Sequence, residues 1–187
     1  MVKINSCIFI SGQGSNLKNL ILRSRDYTFP INIKLIITNN KNANGIFYAK
    51  QNSIPYLIVD TKLKNYENHI LQVLKEKKIS LICLAGYMKI ISRNFIIKFK
   101  NKIINIHPSL LPKFKGLNTF SRVLKNKEKR TGCTVHYVNE KIDNGRIIIQ
   151  KGFFINSNDN EGTLKQKTQK LEYKAFPEAI IRIFRKN

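Results

Sequence analysis

Short apolar runs alternate with longer amphipathic segments over much of this chain, and this alternation limits the folds that it can adopt. The runs are rich in isoleucine and valine and are bounded by turn residues, as strands buried on both faces of a sheet should be. We predict strands at residues 4–10, 33–38, 56–59, 81–84 and 103–106, and helices at 17–24, 46–51, 66–77 and 95–100. Strands that alternate with helices predict an α/β protein with a doubly wound, mostly parallel sheet.

The last third of the chain changes character. Two strand candidates, 133–138 and 147–154, flank the segment "NEKIDNGR", in which Asn144-Gly145 predicts a tight hairpin turn. Thr163 and Gln166 match a capping box that would open a C-terminal helix, and Pro177 should kink or restart that helix. The predicted buried side of the helix consists of Leu164, Leu171, Phe176, Ile180 and Ile183. The predicted fold is therefore a Rossmann-like sheet followed by a C-terminal hairpin and helix.

Length and composition predict one domain. The 187 residues suffice for one good core, and no linker or repeat marks an internal boundary, so we expect a single domain over residues 1–187.

We find no signal-peptide pattern and no run of roughly 20 apolar residues, which predicts a cytoplasmic protein without a membrane partner. Cys7, Cys83 and Cys133 are scattered within apolar runs, which favours neither disulfides nor a thiolate metal site.

The chain is strongly basic. It has 34 Lys and Arg residues against 11 Asp and Glu, which gives a formal net charge of +23. A field of this sign attracts polyanions, so RNA or DNA is one candidate partner. The lysines, however, are spread over nearly every segment, and isoleucine and asparagine are also used heavily, which is typical of a compositional bias of the lineage. We therefore expect no specific nucleic-acid partner.

A glycine-rich turn follows the first predicted strand. Its sequence "GQGSNL", residues 12–17, lacks the third glycine of the dinucleotide fingerprint and the Gly-Lys-Ser/Thr of a Walker loop. The first free N–H groups of the next helix, near Gly14, Ser15 and Asn16, suit a single phosphate. A plain strand-to-helix turn with Ser15 as N-cap would give nearly the same sequence, and both interpretations stay open.

The segment "NIHPSLLP" carries the clearest candidate chemistry. Asn105 and His107 lie two residues apart at the end of a predicted strand, so they share one face, and Pro108 and Pro112 stiffen the exit. An Asn amide can donate to a developing oxyanion, and His can move a proton near neutral pH. The alternative is a single histidine bonded to backbone within a turn.

Asp143 precedes the predicted Asn144-Gly145 turn. Asp often opens such turns by bonding its own backbone, but here it could also pair with an imidazolium and raise the pKa of that ring. His136, on the preceding strand, is interpreted as a supporting residue. The dispersed His and Cys residues show no metal-ligand spacing, and no serine-hydrolase elbow is present.

Five segments together resemble a known family. In order they are "ISGQGSNL", "LAGYMKIIS", "NIHPSLLP", "GCTVHYVNEKIDNGRIIIQ" and "EYKAFP", and they span nearly the whole chain. They resemble the phosphoribosylglycinamide formyltransferases, which are folate-dependent enzymes of purine synthesis. The resemblance implies the formyltransferase fold, and it implies that 10-formyltetrahydrofolate donates its formyl group to the amine of glycinamide ribonucleotide; from the residue spacing we expect no metal. We expect a monomer or weak homodimer.

The resemblance assigns roles to residues. Asn105, His107 and Asp143 would be catalytic: Asn105 and protonated His107 would stabilise the oxyanion, and Asp143 would keep His107 charged and help to relay the proton. The ribonucleotide would contact Gly14, Ser15, Asn16, Gln169 and Glu172. The folate would contact Met88, Lys89, Ile90, Ile91, Asn139, Glu140, Lys141 and Ile142.

Three positions depart from the family pattern. Lys89 replaces the usual Arg, Leu63 stands where many members have an Arg near the folate tail, and Phe120 replaces a frequent His in the "GLNTF" loop. The cation that meets the folate tail is therefore unassigned. The competing functions are formyl transfer to methionyl-tRNA or a sugar nucleotide, hydrolysis of the formyl folate, and noncatalytic binding of RNA.

Overall fold

The computed structural model describes residues 3–184, in which seven strands and six helices follow one another. The strands are β1 (Ile4–Ile10), β2 (Ile31–Thr38), β3 (Tyr56–Ile58), β4 (Leu81–Leu84), β5 (Lys102–His107), β6 (Arg130–Tyr137) and β7 (Ile147–Phe154). The helices are α1 (Ser15–Ser24), α2 (Gly45–Gln51), α3 (Tyr66–Glu76), α4 (Arg93–Phe99), α5 (Thr119–Lys125) and α6 (Glu161–Phe184).

The strands form one seven-stranded sheet in the order β3-β2-β1-β4-β5-β6-β7. Strand β1 pairs in parallel with β2 and β4, and β2 pairs in parallel with β3. Strands β6 and β7 form the antiparallel pair at the end of the order. The predicted α/β class, with a mostly parallel sheet and a C-terminal hairpin and helix, is confirmed.

The backbone groups into two compact units that divide between Ile104 and Asn105. In the first unit, the side chains from Cys7 to Ile10 of β1 and the whole of β4 are buried, as expected for parallel strands in the interior of a sheet. Helix α1 covers this core with Leu17, Leu20 and Ile21, whose spacing of three and four residues forms one helical face. The expected single domain over residues 1–187 stays a prediction.

The second unit is built around the β6–β7 pair and the long helix α6. Helix α6 buries Leu164, Phe176 and Ile180, which were three of the five residues predicted for its apolar face. Close approach of the two strands requires a glycine, because a Cβ on Gly132 would lie 2.0 Å from the Lys151 carbonyl oxygen. Burial of apolar side chains thus orders this unit as it orders the first.

The start of α6 corrects one prediction. Asn160 and Thr163 cap the helix reciprocally, since Thr163 N–H donates to Asn160 Oδ1 at 3.0 Å and Asn160 N–H donates to Thr163 Oγ1 at 2.9 Å. The capping box predicted for Thr163 and Gln166 is wrong by one turn. The helix also continues through Pro177 without restarting.

The hairpin was predicted correctly, but its turn was misplaced. Strands β6 and β7 are joined by residues 138–146, and the turn falls at Ile142 and Asp143 rather than at Asn144-Gly145. Gly145 has a different role: a Cβ there would lie 1.6 Å from the Tyr137 carbonyl oxygen. A glycine is required because the two chains approach each other at this point.

Other differences are small. Most predicted strands and helices agree with the structure within three residues at each end, but α5 was not predicted, so Phe120 lies in a helix and not in a loop. The three cysteines are free and buried. Within residues 3–184, no helix is both long and apolar enough to cross a bilayer.

Candidate active site

Strand β5 carries the first two residues of the candidate site. Asn105 and His107 occupy alternate positions at the end of this strand, as the sequence predicted, and therefore project from the same face. Asn105 is half-buried and His107 is buried. Burial of these polar groups is favourable only if they find hydrogen-bond partners.

Asp143 brings a carboxylate to both residues. Its Oδ2 lies 3.2 Å from His107 Nδ1, and its Oδ1 accepts from Asn105 Nδ2 at 3.3 Å. Gly116 N–H donates to Asp143 Oδ2 at 2.8 Å. Asp143 has a φ of 46°, in the left-handed region that Asp tolerates better than most residues. The second unit thus brings together the three residues predicted to be catalytic.

Both ring nitrogens of His107 face acceptors. Nε2 donates to the Phe114 carbonyl oxygen at 2.9 Å, while Nδ1 faces the Asp143 carboxylate. A carbonyl oxygen and an ionised carboxylate only accept hydrogen bonds, so the doubly protonated imidazolium is the form that satisfies both contacts. This geometry suits a group that must hold a positive charge during a reaction.

The pKa of His107 reflects opposing effects. Burial lowers it, whereas the Phe114 carbonyl and the Asp143 carboxylate raise it, and the net result lies below the ordinary value. The sequence predicted that Asp143 would raise the pKa of the imidazole, but it did not predict the larger, opposite effect of burial. In the free protein at neutral pH, burial therefore favours the neutral ring.

The pKa of Asp143 is also set by competition. Burial of the carboxyl raises this pKa. Contact with His136, the Gly116 N–H and the positive charge of protonated His107 lower it, and together they outweigh burial. The net direction is below the ordinary value, so Asp143 is ionised at neutral pH. A stable negative charge thus lies beside the imidazole of His107.

Two backbone groups that contact the site come from the segment of residues 113–118. They are the Phe114 carbonyl and the Gly116 N–H, and sequence reasoning missed both because backbone atoms have no residue-specific pattern. Arg122 holds this segment in place: its Nη1 donates to the Lys115 carbonyl at 2.6 Å, and its guanidinium lies 5.5 Å from the centre of the Phe114 ring. The sequence feature that could have indicated this segment is Gly116, because glycine is favoured where φ is positive. In the structure its φ is +77°.

His136 also contacts the site, from strand β6. Its Nδ1 is 2.8 Å from the Tyr137 carbonyl oxygen, and its Nε2 is 3.2 Å from Asn105 Nδ2. The side chain is almost completely buried. Its prediction as a supporting residue agrees with these contacts.

The glycine turn lies in the first unit. Helix α1 begins at Ser15, and Gly14 is its N-cap in a left-handed conformation with φ 72°, so Ser15 is not the N-cap. The first helical bond runs from Lys18 N–H to the Gly14 carbonyl at 2.8 Å, as expected for a helix whose N-cap is Gly14. A Cβ on Gly14 would lie 2.6 Å from Gly45 Cα, and Gly45, which sequence reasoning missed, supports the turn.

The remaining predicted residues lie on surface-accessible segments. Met88, Lys89 and Ile90 are exposed and Ile91 is half-buried, and Met88 N–H donates to Ser11 Oγ at 2.8 Å. In the second unit, Asn139, Glu140, Lys141 and Ile142 are exposed on the hairpin connection, whereas Gln169 and Glu172 are half-buried. Gln169 and Glu172 lie three residues apart and therefore share one face of α6.

The cluster of Asn105, His107 and Asp143 combines an amide donor, an ionisable imidazole and a stable carboxylate. Such a set can stabilise an oxyanion and transfer a proton. In the part of the chain that the structure describes, no three His, Cys, Asp or Glu side chains are grouped so as to hold a metal ion. The amide, imidazole and carboxylate of the cluster are the groups that acyl-type group transfer uses.

Comparison with known proteins identifies the family. Residues 4–180 match the family model for formyl transferases, and the chain belongs to that family. The phosphoribosylglycinamide formyltransferase of Haemophilus influenzae is 38% identical over 92% of this chain and 84% of its own length. The trifunctional purine biosynthetic protein adenosine-3 of Gallus gallus is 38% identical over 95% of this chain, which spans only 18% of that larger protein.

Solved structures agree with this membership. The phosphoribosylglycinamide formyltransferase of Bacillus halodurans has a TM-score of 0.92 at 35% identity, covering 97% of this chain and 96% of its own. The enzyme of the same description from Brucella melitensis has a TM-score of 0.92 at 36% identity, covering 99% and 97%. The fold is therefore the formyltransferase fold.

Proposed function

We propose that this protein transfers the formyl group of 10-formyltetrahydrofolate to the amine of glycinamide ribonucleotide in de novo purine biosynthesis. The products are formylglycinamide ribonucleotide and tetrahydrofolate. The observation that carries the proposal is the contact of Asp143 with both His107 and Asn105, at 3.2 and 3.3 Å. The names of the relatives from Haemophilus influenzae and Bacillus halodurans support this choice of substrates.

The chemistry needs an oxyanion site and a proton path. The amine nitrogen attacks the formyl carbon, and the carbonyl oxygen becomes negative while a new C–N bond forms. An N–H of Asn105 and the positive charge of protonated His107 stabilise this oxygen. Although burial lowers the pKa of free His107, a nearby oxyanion raises it, and Asp143 and the Phe114 carbonyl accept from the charged ring.

Collapse of the intermediate breaks the bond between the formyl carbon and N10 of the folate. The attacking amine must lose one proton, and N10 must gain one, so the net proton count does not change. Asp143 is ionised and lies beside His107, which suits it to accept the proton from the amine and to help its transfer towards N10.

The two substrates need binding surfaces. We assign the phosphate of the ribonucleotide to the N–H groups near Gly14, Ser15 and Asn16, and the rest of the ribonucleotide to Gln169 and Glu172. We assign the flat pterin, with its hydrogen-bonding edge, to two segments that combine backbone groups with apolar side chains. Their residues are Met88, Lys89, Ile90, Ile91, Asn139, Glu140, Lys141 and Ile142.

Further parts of the proposal follow from the same assignment. The protein works as one domain over residues 1–187, as a monomer or weak homodimer in the cytoplasm, and without a metal, a membrane or a specific nucleic-acid partner. The net charge of +23 attracts the phosphate of one substrate and the anionic tail of the other.

The test is the turnover of 10-formyltetrahydrofolate by the purified protein, followed by folate absorbance with and without glycinamide ribonucleotide. Turnover that requires the ribonucleotide is expected. Turnover in its absence would identify a hydrolase and overturn the proposal. With no turnover in either case, formylation of methionyl-tRNA or of a sugar nucleotide would replace it.

A further inference from the structure

We propose that His136 is a positioning residue that fixes the side-chain amide of Asn105 for catalysis. This inference rests on the proposed function, because it assigns a role to His136 in the same reaction. The observation behind it is the pair of His136 contacts, with the Tyr137 carbonyl at 2.8 Å and with Asn105 Nδ2 at 3.2 Å.

The Tyr137 contact determines the tautomer of His136. A carbonyl oxygen only accepts hydrogen bonds, so His136 Nδ1 must carry a hydrogen and donate it. In the neutral ring, Nε2 then has a lone pair and can only accept. Asn105 Nδ2 is the donor that lies within hydrogen-bond distance of this lone pair.

The hairpin explains why the ring adopts this position. The register of β6 with β7 shifts between Val135 and His136, which changes the path of the strand at this residue. Tyr137 N–H pairs with the Arg146 carbonyl at 2.9 Å, and Gly145 lies so close that a Cβ there would be 3.5 Å from His136 Nδ1. The backbone of both strands therefore confines the ring.

Asn105 has two amide hydrogens, and both have acceptors. One is directed at His136 Nε2 and the other at Asp143 Oδ1, at 3.2 and 3.3 Å. Because both acceptors require a nitrogen opposite them, the amide cannot exchange its nitrogen and oxygen without losing both bonds. His136 thus holds one N–H of Asn105, and the second N–H, which donates to Asp143 Oδ1 in the free protein, is the one left to turn to the oxyanion.

Direct action of His136 on Asp143 is the competing explanation. The distance from His136 Nε2 to Asp143 Oδ1 is 3.6 Å, longer than a hydrogen bond, and His136 lowers the pKa of Asp143 only through a hydrogen on Nε2, which the neutral tautomer set by Tyr137 lacks. In the neutral state, His136 therefore acts through Asn105.

Two substitutions distinguish the role of His136 Nδ1 from the role of His136 Nε2. His136→Gln keeps an acceptor near the Nε2 position but loses the donor to Tyr137, whereas His136→Asn keeps that donor and loses the acceptor for Asn105. We expect His136→Asn to lower kcat by roughly 10- to 100-fold. The KM values for the ribonucleotide and for the folate should change little, because only transition-state stabilisation is lost. His136→Gln should recover most of kcat. A lower kcat for Gln than for Asn, or equal losses in both, would overturn the proposal.

A double-mutant cycle shows whether His136 acts through Asn105. In an Asn105→Ala background, His136→Asn should cause no further loss of kcat, because the group that it positions is already absent. A full additional loss in that background would mean that His136 acts independently of Asn105 and would overturn the proposal. Thermal melts of all variants check that they are folded.

An NMR experiment tests the positioning even if the protein transfers no formyl group to glycinamide ribonucleotide. In the ¹⁵N-labelled protein, His136 should be the tautomer protonated at Nδ1, and the Asn105 amide hydrogens should exchange slowly with solvent in the wild type and His136→Gln. They should exchange faster in His136→Asn. A hydrogen on Nε2 of the neutral ring, or equal exchange in all three proteins, would overturn the inference, whereas absent turnover alone would overturn only the proposed function.

Discussion

At the residue scale, His107 illustrates how one site can favour two protonation states for different reasons. Burial favours the neutral ring, and the net pKa is lowered, yet both ring nitrogens face acceptors that suit the charged ring. A negative charge that develops nearby shifts this balance towards the charged ring. A histidine in this position can therefore gain a proton during the reaction and release it afterwards.

Removal of the Asp143 charge tests this balance. Because the carboxylate raises the pKa of His107, Asp143→Asn should lower that pKa further, and NMR titration of the His107 ring measures the shift. We also expect kcat to fall by roughly 10²- to 10⁴-fold, and a similar loss in His107→Ala, with both variants folded. Asp159→Asn is the control for loss of a carboxylate outside the cluster. An unchanged rate in either variant would remove that residue from the mechanism.

The glycine turn gives a second prediction at this scale. Gly14→Ala should lower the free energy of unfolding by about 2 kcal/mol, because Gly14 has a positive φ and a Cβ would lie 2.6 Å from Gly45 Cα. Gly12→Ala is the matched control, since a Cβ there meets nothing within 4 Å and should change stability little. Urea unfolding of both variants measures the difference, and equal stability would contradict the close approach to Gly45.

At the scale of elements, the start of α6 shows how a helix end is stabilised by its neighbours. Asn160 and Thr163 exchange hydrogen bonds, and Asp159 accepts from Lys167 Nζ at 2.7 Å and from Asn156 N–H at 2.9 Å. Acidic groups before a helix also interact favourably with its dipole. These contacts define where the helix begins.

Substitutions can distinguish the observed cap from the one predicted by sequence. Asn160→Ala should lower the free energy of unfolding by about 1 kcal/mol, since it removes an N-cap. Gln166→Ala should have almost no effect, because Gln166 is exposed and lies beyond the capping residues. Thermal or urea unfolding measures both values. A larger loss of stability for Gln166→Ala than for Asn160→Ala would instead support the capping box predicted for Thr163 and Gln166.

The Asp159 ion pair makes stability depend on pH. Hydrogen bonds from Lys167 and then from Asn156 N–H lower the pKa of Asp159 from 3.8 to about 2. Because the folded pKa is below the unfolded value, the contribution to stability is present above pH 3.8 and is lost as the pH falls towards 2. The Tm difference between wild type and Asp159→Asn should therefore shrink over this range. A difference that stays constant with pH would contradict this assignment.

At the scale of the whole molecule, charge is the dominant feature. Lysines and arginines occur in all six helices and in four of the seven strands of the described residues, so the basic field that goes with the net charge of +23 is diffuse. A diffuse field attracts any polyanion without recognising its sequence. Such attraction depends on counterion release and weakens as salt is added.

Nucleic-acid binding should therefore be weak and sensitive to salt. We expect binding of single-stranded RNA, measured by fluorescence anisotropy, to fall steeply between about 50 and 200 mM salt. Heparin should compete as well as RNA does, because only charge is recognised. Tight binding of one RNA sequence at physiological salt would contradict this expectation and would support a dedicated RNA function.

The sequence determined the elements and their order, because hydrophobic periodicity is a local property. Runs such as Ile4–Ile10 and Ile147–Phe154 were located to the residue from apolar content and turn residues alone. It also indicated Asn105 and His107 as neighbours on one face, since alternation along a strand needs no tertiary information. Helix α5 was missed because it is short and buries only Thr119 and Val123.

Only the tertiary structure decided how the candidate site is assembled. The Phe114 carbonyl, the Gly116 N–H and the Tyr137 carbonyl are backbone groups, and any residue type could supply them. Asp143 meets His107 through a turn at Ile142 and Asp143, and Gly145 is required after it because the chain passes close to the Tyr137 carbonyl. Protonation states, helix caps and the orientation of an amide follow from contacts between distant residues, and local sequence patterns do not record those contacts.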